Sequence, residues 1–330
     1  MSAESVVSGD AALAAQLRER VGSRHRVVAA ATVSGGQVTA TALGCDLGAG
    51  FEIGSISKGF TGLLYVDALE RGEIGPRSTL GDFLPLGAGP ASAAALSDVS
   101  THTSGLPRLA PGTLNLRTMR ALWLHGANPY GEDLPELIDQ ATRLKKLGKP
   151  RSSYSNLGFE LLGHALAAAA GTTFDELVTS RIARPLELAS VYTPHVAGDL
   201  RPGALLGTSR LGRPQQAWTG EALAPAGGIR ASVEDMGRFT LALLDGTAPG
   251  LTALDPVAKV AGVVRIGAAW MTLERHGRRV TWHNGGTGGF RSWLGVDRAA
   301  GTGVVVLSAT ARSVDRLGMS LLTELSDAAR

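Results

Sequence analysis

The sequence predicts an α+β fold, an antiparallel β-sheet flanked by N- and C-terminal helices plus a mostly helical domain. Three observations predict it. β-like runs cluster near the N-terminus and again after residue 255; helical and loop signals fill the stretch between; each terminal group carries its own helix. Chain ends that share one kind of structure around a different middle imply discontinuous domains, here 1–50 with 255–330, and 51–254. Ligand sites favour the cleft between two such bodies.

The elements follow in order. Asp10 is a helix-capping residue, and Leu13, Leu17 and Val21 follow at helical spacing, which predicts a helix ending near Val21. Residues 26–33 and 37–43 are β-like runs around Ser34-Gly35-Gly36, a hairpin signal. The pattern turns helical over 57–72. Helix and loop signals then continue to about residue 200, punctuated by Pro85, Gly105-Leu106-Pro107, Pro111-Gly112, Pro129 and Pro150. A further helix fits 233–244. β character returns over 263–272, 279–283, 290–296 and 303–309, and a helix over 313–328 closes the chain.

Composition excludes several function classes. With 330 residues, 44% of them apolar and 18% charged, the chain can bury a core without staples. Cys45 is the one cysteine, which excludes an internal disulfide and any multi-cysteine metal site. No run reaches 18 apolar residues, so no membrane partner is expected. The net charge of +3 is spread among 29 acids. The densest basic cluster, Arg275-His276-Gly277-Arg278-Arg279, reads as a hairpin turn rather than a nucleic-acid patch. Met1-Ser2-Ala3-Glu4-Ser5 leads into a stretch broken by Asp10, Arg18, Glu19 and Arg20, with no basic-then-apolar leader pattern, so the expected compartment is the cytoplasm.

The chain contains no Gly-x-Ser-x-Gly elbow, no phosphate loop, no dinucleotide-binding glycine spacing and no His-Glu-x-x-His. Neither cofactor nor metal is called for. What is present is Ser55-Ile56-Ser57-Lys58. Three residues apart at a helix start, Ser55 and Lys58 share one face. A serine hydroxyl becomes a nucleophile when a neighbouring base takes its proton, and an amine serves where desolvation and nearby positive charge favour its neutral form. Only five residues are lysines. At a serine usage of about 7%, a chance match arises in about one of three such chains, so this pair alone decides little. Ser57 is a competing hydroxyl, but one residue before Lys58 it points elsewhere.

A second piece is Ser153-Tyr154-Ser155-Asn156. A phenol beside a cation can act as acid or base, and the amide can hold a carbonyl oxygen or the lysine. Asn156 is equally a candidate cap for the helix that follows. The third is Trp282-His283-Asn284-Gly285-Gly286-Thr287-Gly288-Gly289-Phe290, between two β-like runs. Glycine lets a substrate backbone lie along a strand edge, where free N–H groups bind an oxyanion; the same pattern is also that of a plain glycine-rich hairpin.

Taken in order, Ser-x-x-Lys, Tyr-x-Asn and His-x-Gly resemble the three active-site motifs of the serine β-lactamase and DD-peptidase (penicillin-binding protein-like) superfamily. The branch resembled is the class C β-lactamase-like one, which includes esterases and D-aminopeptidases. Thr101-His102-Thr103-Ser104-Gly105-Leu106-Pro107, Pro225-Ala226-Gly227-Gly228-Ile229 and Ile182-Ala183-Arg184-Pro185-Leu186 agree with it. The resemblance implies a β-lactamase/transpeptidase-like fold and the following roles. Ser55 attacks a carbonyl and forms an acyl-enzyme. Lys58 and Tyr154 shuttle protons. Asn156 orients substrate and lysine. The N–H groups of Ser55 and Gly286 form the oxyanion hole, within a substrate-binding segment of His283, Asn284, Gly285 and Gly286.

The third motif departs from the Lys-Thr-Gly and following hydroxyl of β-lactam-specialised relatives. Here it is His283-Asn284-Gly285 followed by Gly286, without a fixed cation or that hydroxyl. The expected activity is therefore hydrolysis of an ester or amide of a small molecule or D-residue peptide. The alternatives are an acyltransferase passing the acyl group to an amine or alcohol in small-molecule biosynthesis, a β-lactamase or DD-carboxypeptidase proper, and a non-catalytic binding protein. His102 is expected to support a loop, His164 to lie on a helix, and His125 and His195 to lie in loops. Lys145, Lys146 and Lys149 read as a solvated face. Cys45 reads as a packed small residue, and Trp282 and Trp293 as cleft-shaping or core residues.

Overall fold

The computed structural model describes residues 6–111, 120–121, 126–275 and 277–330. Residues 1–5, Gly112, His125 and His276, to which the sequence assigned parts, lie outside them. The fold is α+β, an antiparallel sheet with helices on both faces.

Among the described residues eleven strands form, β1 (Val7–Gly9), β2 (Val28–Ser34), β3 (Gln37–Leu43), β4 (Phe51–Glu52), β5 (Arg230–Ala231), β6 (Ala258–Ala261), β7 (Val264–Ile266), β8 (Met271–Arg275), β9 (Arg278–Gly286), β10 (Arg291–Asp297) and β11 (Thr302–Ser308). Nine of them make one sheet in the order β1-β3-β2-β11-β10-β9-β8-β7-β6, and β4 pairs with β5 alone. β2 pairs with β11, for example Ala31 with Val305, so the two ends of the chain meet at the middle of the sheet.

The central strands are buried on both faces. On β2 and β11, Val28, Ala30, Val304 and Val306 enter one core with Leu17, Trp293 and Leu322. Their neighbours Ala29, Ala31, Val305 and Leu307 enter the larger core on the other face. Strands covered on both sides carry continuous apolar runs instead of alternation. The smaller core is closed by α1 (Ala11–Val21) and α8 (Asp315–Ala328). Asp10 caps α1 by accepting from the Leu13 N–H at 2.7 Å.

Between the sheet's terminal segments run α2 (Ser57–Glu70), α3 (Leu96–Ser100), α4 (Leu134–Thr142), α5 (Asn156–Ala169), α6 (Phe174–Val178) and α7 (Val233–Asp245). α2 buries nearly its whole circumference, Ser57 and Lys58 included, as a helix in the centre of a body must. Stacking of Phe60 on Phe239, centroids 4.2 Å apart, joins α2 to α7, and α7 packs on β2, β3 and β11.

The C-terminal β region differs from the sequence expectation. The predicted run over 263–272 divides into β7 and β8, because Gly267 N–H donates to Trp270 O and turns the chain. The region contributes six strands where four β-like runs were expected, and β1 and β6 were not anticipated. β1 has three residues and β6 has an exposed face, so neither carries a strong period.

Candidate active site

Ser55 lies in a 3-10 turn, Gly54–Ile56, that leads directly into α2. Lys58 follows in the first turn of α2 and is fully buried. Its Nζ donates to Ser55 Oγ at 3.4 Å, to Asn156 Oδ1 at 2.9 Å and to Ala226 O at 2.6 Å. Ser57 is turned away, its Oγ accepting from the Ile229 N–H at 3.2 Å. The Ser-x-x-Lys spacing thus puts one hydroxyl, that of Ser55, on the lysine.

Tyr154 and Asn156 arrive at the start of α5. Ser155, not Asn156, is the cap: its Oγ accepts from the Gly158 N–H at 2.8 Å and donates to Pro107 O at 2.6 Å. The Asn156 side chain is therefore free to bridge. Besides receiving Lys58, it donates through Nδ2 to the Tyr130 hydroxyl at 3.2 Å. Lys58 Nζ sits 4.8 Å from the centroid of the Tyr154 ring, within cation–π range.

β9 supplies the third segment. Its pairing with β8 stops at Trp282, whereas its pairing with β10 continues to Gly286. The last residues of β9 thus have one free edge, and it packs on the turn that holds Ser55. Two glycines allow that approach. A Cβ on Gly54, whose φ is +53°, would stand 2.6 Å from Gly286 N; one on Gly285 would stand 2.1 Å from Ile53 O and 3.0 Å from Ser55 N. Ser292 Oγ tightens the seam by donating to Ile53 O at 2.7 Å. The backbone nitrogens of Ser55 and Gly286 are thereby brought to one locality.

Ser55, Tyr154, Asn156, Asn284, Gly285 and Gly286 line one cleft of about 550 Å³. His283 lies behind that surface, 1% exposed, with Nδ1 donating to Asn284 O at 2.7 Å. Burial, reinforced by the Lys58 charge, lowers its pKa to about 3, so the ring is neutral and supplies no cation. Asn284 is exposed, and its Nδ2 donates to Asp315 Oδ1 at 2.9 Å.

The rest of the cleft carries residues that sequence reasoning did not single out. Tyr130 and Trp218 form an aromatic wall, ring centroids 4.9 Å apart. Trp218 is anchored through its backbone N–H to Glu52, which forms a buried ion pair with Arg230 at 3.0 Å. Arg108 and Arg291 bring positive charge to the rim. Arg291 also donates to Thr287 O and Phe290 O, tying the glycine turn after β9. The only available signal for Arg291 was its position two residues after the last glycine of the run, Gly289; Tyr130 and Trp218 had none. Of the tryptophans that were singled out, Trp293 is a core residue and Trp282 packs beside that core. Below the cleft Glu160 is enclosed in α5, and burial pushes its carboxyl up to about 8.

Lys145, Lys146 and Lys149 are exposed, and Cys45 is half-buried against the larger core. His164 lies on α5. Among the described residues no group of three His, Cys, Asp or Glu side chains is placed to hold a metal ion. No described helix is long and apolar enough to cross a membrane.

Comparison with known proteins bears on this geometry. A family model described as Beta-lactamase matches residues 13–325. The D-alanyl-D-alanine-carboxypeptidase/endopeptidase AmpH of Escherichia coli (strain K12) is 33% identical over 147 residues, 43% of this chain and 36% of that protein. The match thus spans about a third of the relative's length. Penicillin-binding protein 4 of Amycolatopsis lactamdurans is 26% identical over 283 residues, 77% of this chain and 70% of that one. Among solved structures, a class C beta lactamase from Rhodobacter sphaeroides superposes with a TM-score of 0.78 at 20% identity, over 97% of this chain and 99% of that one.

Proposed function

Since the chain belongs to the Beta-lactamase family, within the serine β-lactamase and DD-peptidase superfamily, we propose that it is a serine hydrolase cleaving an ester or amide bond of a small molecule or D-residue peptide. The reaction proceeds through an acyl-enzyme on Ser55. The observation that carries this reading is the contact of Lys58 Nζ with Ser55 Oγ at 3.4 Å, beside the free end of β9.

In this mechanism Ser55 Oγ attacks the substrate carbonyl as its proton passes to the Lys58–Tyr154 pair. The N–H groups of Ser55 and Gly286 stabilise the oxyanion. The pair returns the proton to the leaving group and then activates water for deacylation. Asn156 keeps Lys58 aligned through both halves. Arg108 and Arg291 at the rim suit the carboxylate end of a D-residue peptide, the substrate type that the AmpH name carries.

The neutral His283, and Asn284 engaged with Asp315, support ester or amide hydrolysis over efficient β-lactam turnover. The test is paired. Wild-type protein is expected to cleave a chromogenic ester and to turn over a chromogenic cephalosporin negligibly, with ester cleavage lost in Ser55→Ala. Ester cleavage retained in Ser55→Ala would sink the nucleophile assignment; fast cephalosporin turnover would overturn the substrate reading.

A further inference from the structure

One residue outside the cleft lining holds Tyr154 from both sides, through its backbone carbonyl and its side chain. His102 follows α3 in the loop that leads to Arg108. Its carbonyl oxygen accepts from the Ser153 N–H at 2.8 Å, and its Nδ1 accepts from the Ser155 N–H at 3.2 Å. Between those two bonds the imidazole lies against the Tyr154 ring, centroids 4.5 Å apart, with Phe159 at 4.7 Å. The same loop continues the grip: Pro107 O receives Ser155 Oγ, and Arg108 O receives the Asn156 N–H at 2.9 Å.

The local stability of the loop does not account for a histidine here. The φ of His102 is +60°, a left-handed conformation that among the described residues only Glu187 and Ala269 share outside glycine. Such backbones persist where the surroundings over-determine them. An Nδ1 that accepts carries no proton, so the ring is neutral with its hydrogen on Nε2. That Nε2 is buried and finds no hydrogen-bond partner among the described residues. Burial and the nearby Lys58 charge both disfavour the imidazolium. A strained backbone and an unpaired buried N–H are costs, and the feature they accompany is the hold on Tyr154.

We propose that His102 is the positioning residue for Tyr154, fixing its ring plane and backbone so that the phenol keeps a single orientation in the cleft beside Lys58. The proposal rests on the assignment of Tyr154 to proton transfer, and its test separates the two. Asparagine tolerates left-handed φ and offers an acceptor near the place of Nδ1. His102→Asn therefore preserves the bond to Ser155 N–H, whereas His102→Leu removes it.

The chain has four tyrosines, so fluorotyrosine labelling gives four ¹⁹F signals, and the one lost in Tyr154→Phe identifies Tyr154. The Tyr154 signal is expected to be single and sharp in wild type, sharp though shifted in His102→Asn, and broadened or split in His102→Leu. On ester substrate, kcat of His102→Leu is expected to fall at least about tenfold with KM nearly unchanged, and His102→Asn to recover most of it. A sharp single Tyr154 signal in folded His102→Leu overturns the proposal, as does equal loss of kcat in both variants alongside equal loss of thermal stability. The predicted signal pattern without esterase activity in wild type would leave His102 as proposed and remove the role of Tyr154 in catalysis.

Discussion

The chemistry of the site rests on how many partners each side chain must serve. Asn156 serves two, Lys58 through its oxygen and Tyr130 through its nitrogen, and it is free to do so because Ser155 caps α5. Asn156→Ala is therefore expected to leave the fold intact and to reduce kcat/KM about 10- to 100-fold, the worth of a hydrogen bond to a charged group. Steady-state kinetics with a thermal melt checks this; unchanged kcat/KM would remove Asn156 from the lysine's alignment. Ser55 and Lys58 were legible because helix geometry makes three-residue spacing a contact. His283 was legible as a motif position, but not as a ring buried behind the cleft, since exposure is a property of what packs over a residue. Tyr130 and Trp218 meet only through the fold, and no spacing in the sequence announces them.

At the scale of elements, the decisive feature is that β9 outruns β8. The unpaired end reaches the Ser55 turn only because Gly54 and Gly285 leave room. A methyl on Gly285 would meet Ile53 O and Ser292 Oγ inside contact distance, so the seam must open. Gly285→Ala is expected to lower kcat at least about 100-fold, as loss of an oxyanion donor does. Kinetics on purified, folded variant measures it, and near-normal kcat would show that the free end of β9 is not the oxyanion wall. The strands at the centre of the sheet were readable as apolar runs, and Asp10 as a cap. The break between β7 and β8 was not, because Val263 to Thr272 is apolar enough to read as one strand while its turn is made by backbone bonds around Gly267.

For the whole molecule, the joining of chain ends in one sheet followed from β-like runs at both ends, and the cleft from the helical stretch between them. The division into 1–50 with 255–330, and 51–254, stays a proposal; α7 belongs to the middle of the sequence yet packs on the sheet. Burial of titratable groups sets a global pH response. His102, His164 and His283 all have pKa values lowered by burial from 6.5, that of His283 to about 3. Their neutral forms favour folding fully above 6.5, and that contribution is lost as pH falls, because the unfolded chain takes up protons the folded one cannot. Glu160, raised from 4.5 to about 8, works oppositely, losing its contribution as pH rises from 4.5 towards 8. Each group contributes a slope of about 1.4 kcal/mol per pH unit within its window. His25 is shifted by burial in the same direction as these histidines, and Glu52 in the same direction as Glu160. With four histidines against two carboxyls, thermal stability is expected to peak near pH 6.5 and fall on both sides. Melting curves from pH 4 to 8 that rise monotonically towards acid would contradict this burial pattern.

The proposed chemistry requires Ser55 to be the hydroxyl that Lys58 activates. The most direct measurement is intact-mass and peptide mass spectrometry after incubation with a fluorophosphonate. One adduct per chain is predicted, mapped to Ser55, absent in Ser55→Ala and strongly slowed in Lys58→Ala. An adduct on Ser57, or labelling of Ser55 at the same rate without Lys58, would contradict the account.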